Sequence, residues 1–125
     1  MIPYDNSFSP PAPVIQATIQ NINAPSQRVV VPMQIDTGAD LCIIPESIVS
    51  VLNLEPEDAT PIADYRGDVQ SFHIFYVHLR IEQLTTRNVR VIAHGEGIGI
   101  LGRNVLNQFN LNLRGKEQTF DLVLA

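Results

Sequence analysis

An aspartate placed between an apolar run and a glycine is the feature of this sequence most suited to chemistry. Asp36-Thr37-Gly38-Ala39-Asp40 follows directly on the largely apolar residues 29–35. The apolar run predicts a β-strand, and Gly38 allows a tight turn where a Cβ would clash. The hydroxyl of Thr37 can orient a carboxylate or bridge to a partner. The pattern therefore predicts that the Asp36 carboxylate lies on a turn at the end of a strand, where it is available for acid–base chemistry.

The Asp36 motif alone has a simpler explanation, because most Asp-x-Gly turns contain an aspartate that only bonds its own backbone. A second motif, Gly99-Ile100-Leu101-Gly102-Arg103-Asn104, lies downstream and precedes an apolar pattern at helical spacing. Gly38 and Gly102 are sixty-four positions apart, about what a subunit with a single lobe would need. The two motifs together favour a functional aspartate over an ordinary turn.

These two motifs resemble those of the retropepsins, the retroviral type of aspartic protease. In that family an Asp-Thr-Gly loop packs against a later apolar-apolar-Gly segment, which a short helix follows. The resemblance covers residues 14–113 and is specific at the two motifs. It implies an all-β, closed-barrel acid protease fold with one lobe per chain and one or two short helices.

The size of the chain sets the number of catalytic groups. A chain of 125 residues forms one domain and is too small for two lobes. It contains no second Asp-Thr-Gly or Asp-Ser-Gly, whereas this chemistry requires two carboxylates that share a proton around one water. We therefore expect a symmetric homodimer, with Asp36 and its twofold copy side by side. The predicted organisation is a Pro-rich extended arm over residues 1–13 and a protease domain over residues 14–125.

The expected activity is that of an aspartic endopeptidase that cleaves extended polypeptides and needs no metal or cofactor. By the resemblance, Thr37 forms hydrogen bonds across the dimer axis, and Asp40 binds substrate backbone and pairs with Arg103. An ordinary strand threonine and an ion pair of only structural value remain as the alternatives. The full predicted substrate-binding set is Ala39, Asp40, Leu41, Ile43, Tyr65, Arg66, Gly67, Ile98 and Ile100, supported by Leu101, Gly102 and Arg103. A competing interpretation keeps the fold and the dimer but makes the chain a catalytically silent peptide-binding domain.

The predicted elements form a mostly β chain. Strand alternation and turn residues indicate two hairpins that enclose two short helices and a further hairpin. The middle hairpin has the tip Tyr65-Arg66-Gly67-Asp68 and resembles the retropepsin flap by position, although it has one glycine where viral relatives usually have several. The predicted strands cover residues 14–20, 28–35, 41–44, 59–65, 69–83, 88–93, 98–101, 111–113 and 118–123, and the predicted helices cover 45–52 and 103–109.

Composition argues against several other classes of protein. A net charge of −5 and a pI near 4.9 disfavour binding to nucleic acid. The single Cys42 excludes an intrachain disulfide, and no run reaches the length of a membrane span. Without a signal peptide, a cytoplasmic location is expected unless the domain is cut from a longer protein.

Three other features of the sequence do not predict a cofactor, metal or nucleophile site. Residues 97–102 match the dinucleotide-binding pattern G-x-G-x-x-G, but the chain lacks the alternating strands and helices of a doubly wound sheet. His73 and His78 are expected on opposite faces of one strand, and His94 stands alone, so no metal site is predicted. Cys42 has no predicted histidine partner and is expected to be a buried small hydrophobe.

Overall fold

The computed structural model describes residues 1–63 and 65–124, without the side chain of Asp58. The predicted strand 59–65 contains Asp64 and the predicted domain ends at Ala125, and both of these residues lie outside the described part. Among the described residues no helix is long and apolar enough to cross a membrane.

Six strands close into a barrel. The strands are β1 Ile2–Pro3, β2 Val14–Asn21, β3 Arg28–Ile35, β4 Cys42–Ile44, β5 Asp58–Ala63, β6 Val69–Ile81, β7 Leu84–Ala93, β8 Gly99–Leu101, β9 Phe109–Arg114 and β10 Thr119–Leu124, and the helices are α1 Glu46–Val51 and α2 Arg103–Leu106. In the barrel, neighbouring strands pair in the order β2, β3, β8, β4, β7 and β6, and β2 pairs again with β6 to complete the ring. Strand β5 also pairs with β6, and a separate sheet has the order β1-β10-β9.

The barrel forms because alternate residues of its strands are apolar and point inward. Ile19, Met33, Val77 and Val91 come from four different strands, and each is fully buried in one common core. Phe120 of β10 is also fully buried and belongs to this core, so the terminal sheet packs against the barrel. Burial of this apolar surface is the main favourable contribution to folding.

Strands β3 and β8 run parallel and together position the two sequence motifs. Ile35 pairs with Leu101 at the last register position of this ladder. Because parallel strands end at the same edge of a sheet, Asp36 and Gly102 both emerge at this edge. The fold therefore brings together two segments that are more than sixty residues apart in the sequence.

Most element boundaries differ from the predictions by one or two residues, and three differences are larger or add an element. Helix α2 ends at Leu106 and Phe109 begins β9, because Phe109 pairs with Leu124 in the terminal hairpin. Strand β7 begins at Leu84 rather than at residue 88. The turn before it places Glu82 at φ 54° and contains no glycine that would have marked it in the sequence. Residues 2–3 of the predicted arm form β1, which pairs antiparallel with β10. The domain boundary at residue 13 stays a prediction.

Candidate active site

The loop after β3 holds Asp36 by its backbone and its side chain. The Asp36 N–H donates to the Leu101 carbonyl at 3.1 Å, and the Ala39 N–H donates to the Asp36 carbonyl at 3.2 Å. The Gly38 N–H donates to Asp36 Oδ1 at 2.9 Å. The bond from Gly38 is local, and any aspartate in such a turn can make it. The bond to Leu101 connects the loop to β8. The carboxylate is therefore fixed in place while Asp36 stays partly exposed.

Gly102 lies against the backbone of this loop. A Cβ built on Gly102 would lie 2.6 Å from both the carbonyl carbon and the oxygen of Leu41, and 3.1 Å from the Ala39 oxygen. Real Cβ atoms essentially never approach other atoms within 3.0 Å. The close approach of the two segments behind Asp36 thus requires glycine at position 102.

Arg103 connects the two motifs through three contacts. Its Nη1 donates to the Thr37 carbonyl at 2.8 Å, its backbone N–H donates to the Ala39 carbonyl at 2.9 Å, and its Nη2 forms a short ion pair with Asp40 Oδ1. The predicted ion pair between Asp40 and Arg103 is thereby confirmed. The Asp40 side chain is 83% exposed, so solvent screens the pair and the contribution to stability is small. Its main effect is to order the loop.

Asn104 is a positioning residue whose partners the sequence does not reveal. Its Oδ1 accepts from the backbone N–H of Cys42 at 3.0 Å and from the Cys42 thiol at 3.3 Å, while its Nδ2 donates to the Arg90 carbonyl at 2.8 Å. One amide thus links α2 to β4 and β7. The position of Asn104 directly after Gly102-Arg103 indicates that it lies near the site. Its partners Cys42 and Arg90 are distant in sequence, so the sequence does not predict these contacts.

Cys42 is buried beside the loop, as predicted. Desolvation by burial raises the pKa of its thiol to about 11, and a hydrogen bond from the Gly102 N–H at 3.3 Å opposes this increase only in part. The thiol is therefore protonated at neutral pH, and it lacks the thiolate character of a nucleophile.

A cleft of about 600 Å³ separates the Asp36 loop from β5. Four residues of the predicted substrate-binding set line it, namely Ala39, Asp40, Leu41 and Ile43. Ile98 and Ile100 lie outside this lining, while Tyr65, Arg66 and Gly67 form the tip of the β5–β6 hairpin. Gly38 of the predicted active-site loop also lines the cleft. The remaining lining residues were not predicted from the sequence; they are Thr60, Pro61, Ile62 and Ala63 from β5, and Arg90 and Ile92 from β7.

The tip of the β5–β6 hairpin projects into solvent. Tyr65 is 95% exposed, and the Arg66 guanidinium carbon lies 5.6 Å from the centroid of its ring. Arg66 and Asp68 form an exposed ion pair at 3.8 Å. Gly67 has φ 84°, a conformation that favours glycine, so the tip turns at the predicted residue.

Two of the histidines, His78 and His94, take part in local contacts. His78 Nδ1 accepts from the Asn88 N–H at 3.3 Å, and the His94 ring packs edge-on against Phe72 at 5.4 Å between centroids. Across the described residues no group of three or more histidine, cysteine, aspartate or glutamate side chains is arranged to hold a metal ion.

Comparison with known proteins identifies the fold. Residues 21–108 match the profile of the family described as "gag-polyprotein putative aspartyl protease". No curated protein sequence gave a match.

Three solved structures are similar in fold. A retropepsin-like aspartic protease from Rickettsia conorii is 16% identical with a TM-score of 0.65, over 100% of this chain and 91% of that one. The EIAV protease in complex with the inhibitor HBY-793 is 20% identical with a TM-score of 0.52, over 77% of this chain and 86% of that one. The retroviral protease-like domain of Ddi1 from Leishmania major is 12% identical with a TM-score of 0.51, over 91% and 94%.

The predicted all-β fold, with its closed barrel and two short helices, is confirmed by these neighbours and by the strand order. Because the family profile matches well over half of the chain, this protein belongs to the gag-polyprotein aspartyl protease family and has a retropepsin-like fold.

Proposed function

We propose that this protein is an aspartic endopeptidase that acts as a homodimer on extended polypeptides, with one Asp36 from each protomer. The observation that carries the proposal is the position of Asp36 in a chain of an aspartyl protease family. Its carboxylate is partly exposed at the end of β3, and the surrounding loop is held by β8 and Arg103. Each chain supplies one Asp-Thr-Gly aspartate, and the reaction needs two, so a second protomer is necessary.

The two Asp36 carboxylates share one proton, since two like charges at short distance cannot both ionise. The ionised carboxylate takes a proton from a water molecule as the water oxygen attacks the scissile carbonyl carbon. The protonated carboxyl gives its proton to the carbonyl oxygen, which yields a tetrahedral diol. The protonated carboxyl of the dyad then gives its proton to the amide nitrogen and the C–N bond breaks. A hydroxyl of the collapsing diol passes its proton to the dyad, which thereby regains its single shared proton and leaves a carboxylic acid and an amine as products.

The cleft and the β5–β6 hairpin support a binding mode for the peptide. Strand β5 is the last strand of its sheet and pairs with β6 on one side. An extended peptide can add to its other edge through main-chain hydrogen bonds, while alternate side chains enter the cleft beside Leu41, Ile43 and Ile92. In this proposal the hairpin is a flap that closes over the peptide and excludes water.

The test is cleavage of a degenerate peptide pool between about pH 3 and pH 8, followed by mass spectrometry. We expect Asp36→Asn to lower the cleavage rate by a factor of at least about 10³ without unfolding the protein. The matched control is Glu117→Gln, which removes an exposed carboxylate from the β9–β10 turn and should leave the rate unchanged. A pepstatin-like mimic of the transition state should inhibit the wild type.

Mixing the variants tests whether the site is shared. If each site needs one Asp36 from each of two protomers, exchange with Asp36→Asn protein lowers activity with the square of the wild-type fraction. A linear decrease would contradict the homodimeric dyad. A folded dimer that yields no products at any pH would contradict the protease, and the peptide-binding alternative would replace it.

A further inference from the structure

Arg90 is the cationic side chain of the cleft wall. The other polar side chains of the lining are Asp40 and Thr60, and the remainder are apolar or glycine. Asp40 is already paired with Arg103. Within the part of the chain that the structure describes, no hydrogen bond or ion pair occupies the Arg90 guanidinium. The cleft therefore contains a positive charge available to a ligand.

The backbone of Arg90 is held on both sides, so the base of this side chain has a fixed position. Arg90 pairs with Tyr76 across β6 and β7, and its carbonyl accepts from Asn104 Nδ2 at 2.8 Å. Val91 pairs with Cys42 in the parallel ladder, which places Arg90 beside Leu41. A guanidinium on a rigid strand, half-buried among apolar side chains, is well suited to bind a carboxylate.

We propose that Arg90 makes the protease selective for substrates with an aspartate or glutamate near the cleaved bond, an inference that rests on the proposed function. The Arg90 guanidinium binds the carboxylate of that residue while the apolar lining contacts its neighbours.

The geometry also limits where the acidic residue lies. The cleft lining begins at Gly38 and does not include Asp36. Because the cleft lined by Arg90 does not reach Asp36, we expect the acidic residue beyond the two residues that flank the cleaved bond. A twofold dimer presents Arg90 a second time, and the acidic preference is therefore expected on both sides of the bond.

The experiment compares the products of a degenerate octapeptide pool for the wild type and two variants. The wild type should cleave peptides with glutamate at the selected position about tenfold faster than the glutamine equivalents, as expected for one charge-assisted hydrogen bond. Arg90→Gln should abolish this preference, and Arg90→Glu should replace it with a preference for lysine or arginine. The matched control is Arg87→Gln, an exposed position of β7 outside the cleft lining, which should keep the wild-type preference.

A binding measurement separates failure of this inference from failure of the proposed function. The Asp36→Asn variant is incubated with the same pool, and the retained peptides are sequenced. Acidic enrichment that disappears in the Asp36→Asn, Arg90→Gln double variant supports the role of Arg90 even without cleavage. Cleavage with no acidic preference overturns the role of Arg90 and leaves the protease intact. If neither cleavage nor acidic enrichment is observed, both the role of Arg90 and the proposed function are overturned.

Discussion

Replacing Gly102 by alanine should destabilise the protein by more than the chemistry of one methyl group suggests. The new Cβ would lie 2.6 Å from the carbonyl carbon and oxygen of Leu41. Both are backbone atoms, which cannot rotate away as the end of a flexible side chain can. Such overpacking typically costs about 1–3 kcal/mol. Relief requires the Asp36 loop to move away from β8.

Gly115→Ala is the matched control for this substitution. A Cβ at Gly115 meets no atom within 4 Å, and the residue lies in the exposed β9–β10 turn. Both alanines reduce the conformational freedom of the unfolded chain in the same way, by about 0.4–1 kcal/mol. The difference between the two variants thus isolates the clash. With an unfolding entropy of about 2.1 cal/mol/K per residue, 1 kcal/mol corresponds to about 4 °C for this chain.

We therefore expect Gly102→Ala to melt about 4–12 °C below Gly115→Ala in thermal unfolding followed by circular dichroism. Both proteins must be measured at one concentration, because association makes the melting temperature depend on concentration. Equal melting temperatures for the two variants would refute the claim that the two motifs are packed in contact behind Asp36.

Two further predictions concern titratable groups. The Cys42 thiol, with its pKa raised by burial, should react with a thiol reagent at pH 8 far more slowly in folded protein than after denaturation; equal rates would contradict its burial. Arg114 Nη2 forms an ion pair with Asp121 Oδ2 at 2.8 Å, and this interaction lowers the pKa of Asp121. The ionised carboxylate therefore stabilises the fold above the unfolded pKa of 3.8, and it loses that effect as the pH falls through the lowered pKa of the folded state. Asp121→Asn should therefore unfold at lower urea concentration near neutral pH, with the difference from wild type vanishing in acid; a constant difference would exclude the ionised pair.

Local patterns were sufficient to predict most of the fold. The hairpin of β2 and β3 follows from alternation and a turn at residues 23–26, and α1 follows from a proline at its start. Asn88 shows where local patterns fail. Asn88 lies inside β7 at φ 54°, opposite a register shift in β6. Asparagine is a common turn residue, and the sequence therefore predicted that a strand begins at residue 88. Long-range pairing decides such positions, and a single sequence does not contain that information.

The candidate site was predictable in its loop and less so in its walls. The sequence motifs show three of its requirements directly: the carboxylate of Asp36, the turn at Gly38 and the close backbone approach at Gly102. Arg90 and the β5 residues enter the cleft because strands distant in sequence pair side by side. No spacing rule along the chain connects them to Asp36.

The hydrogen bond from Arg103 to Thr37 spans 66 residues and has a consequence for the newly made chain. The Asp36 loop gains its long-range hydrogen bonds only when Leu101 and Arg103 are present. At synthesis rates of about 5–20 residues per second, Arg103 follows Thr37 out of the ribosome by about 3–13 s. During that interval the nascent chain carries its aspartate without the segment that holds it. Assembly of the loop is thereby delayed until most of the barrel has been synthesised.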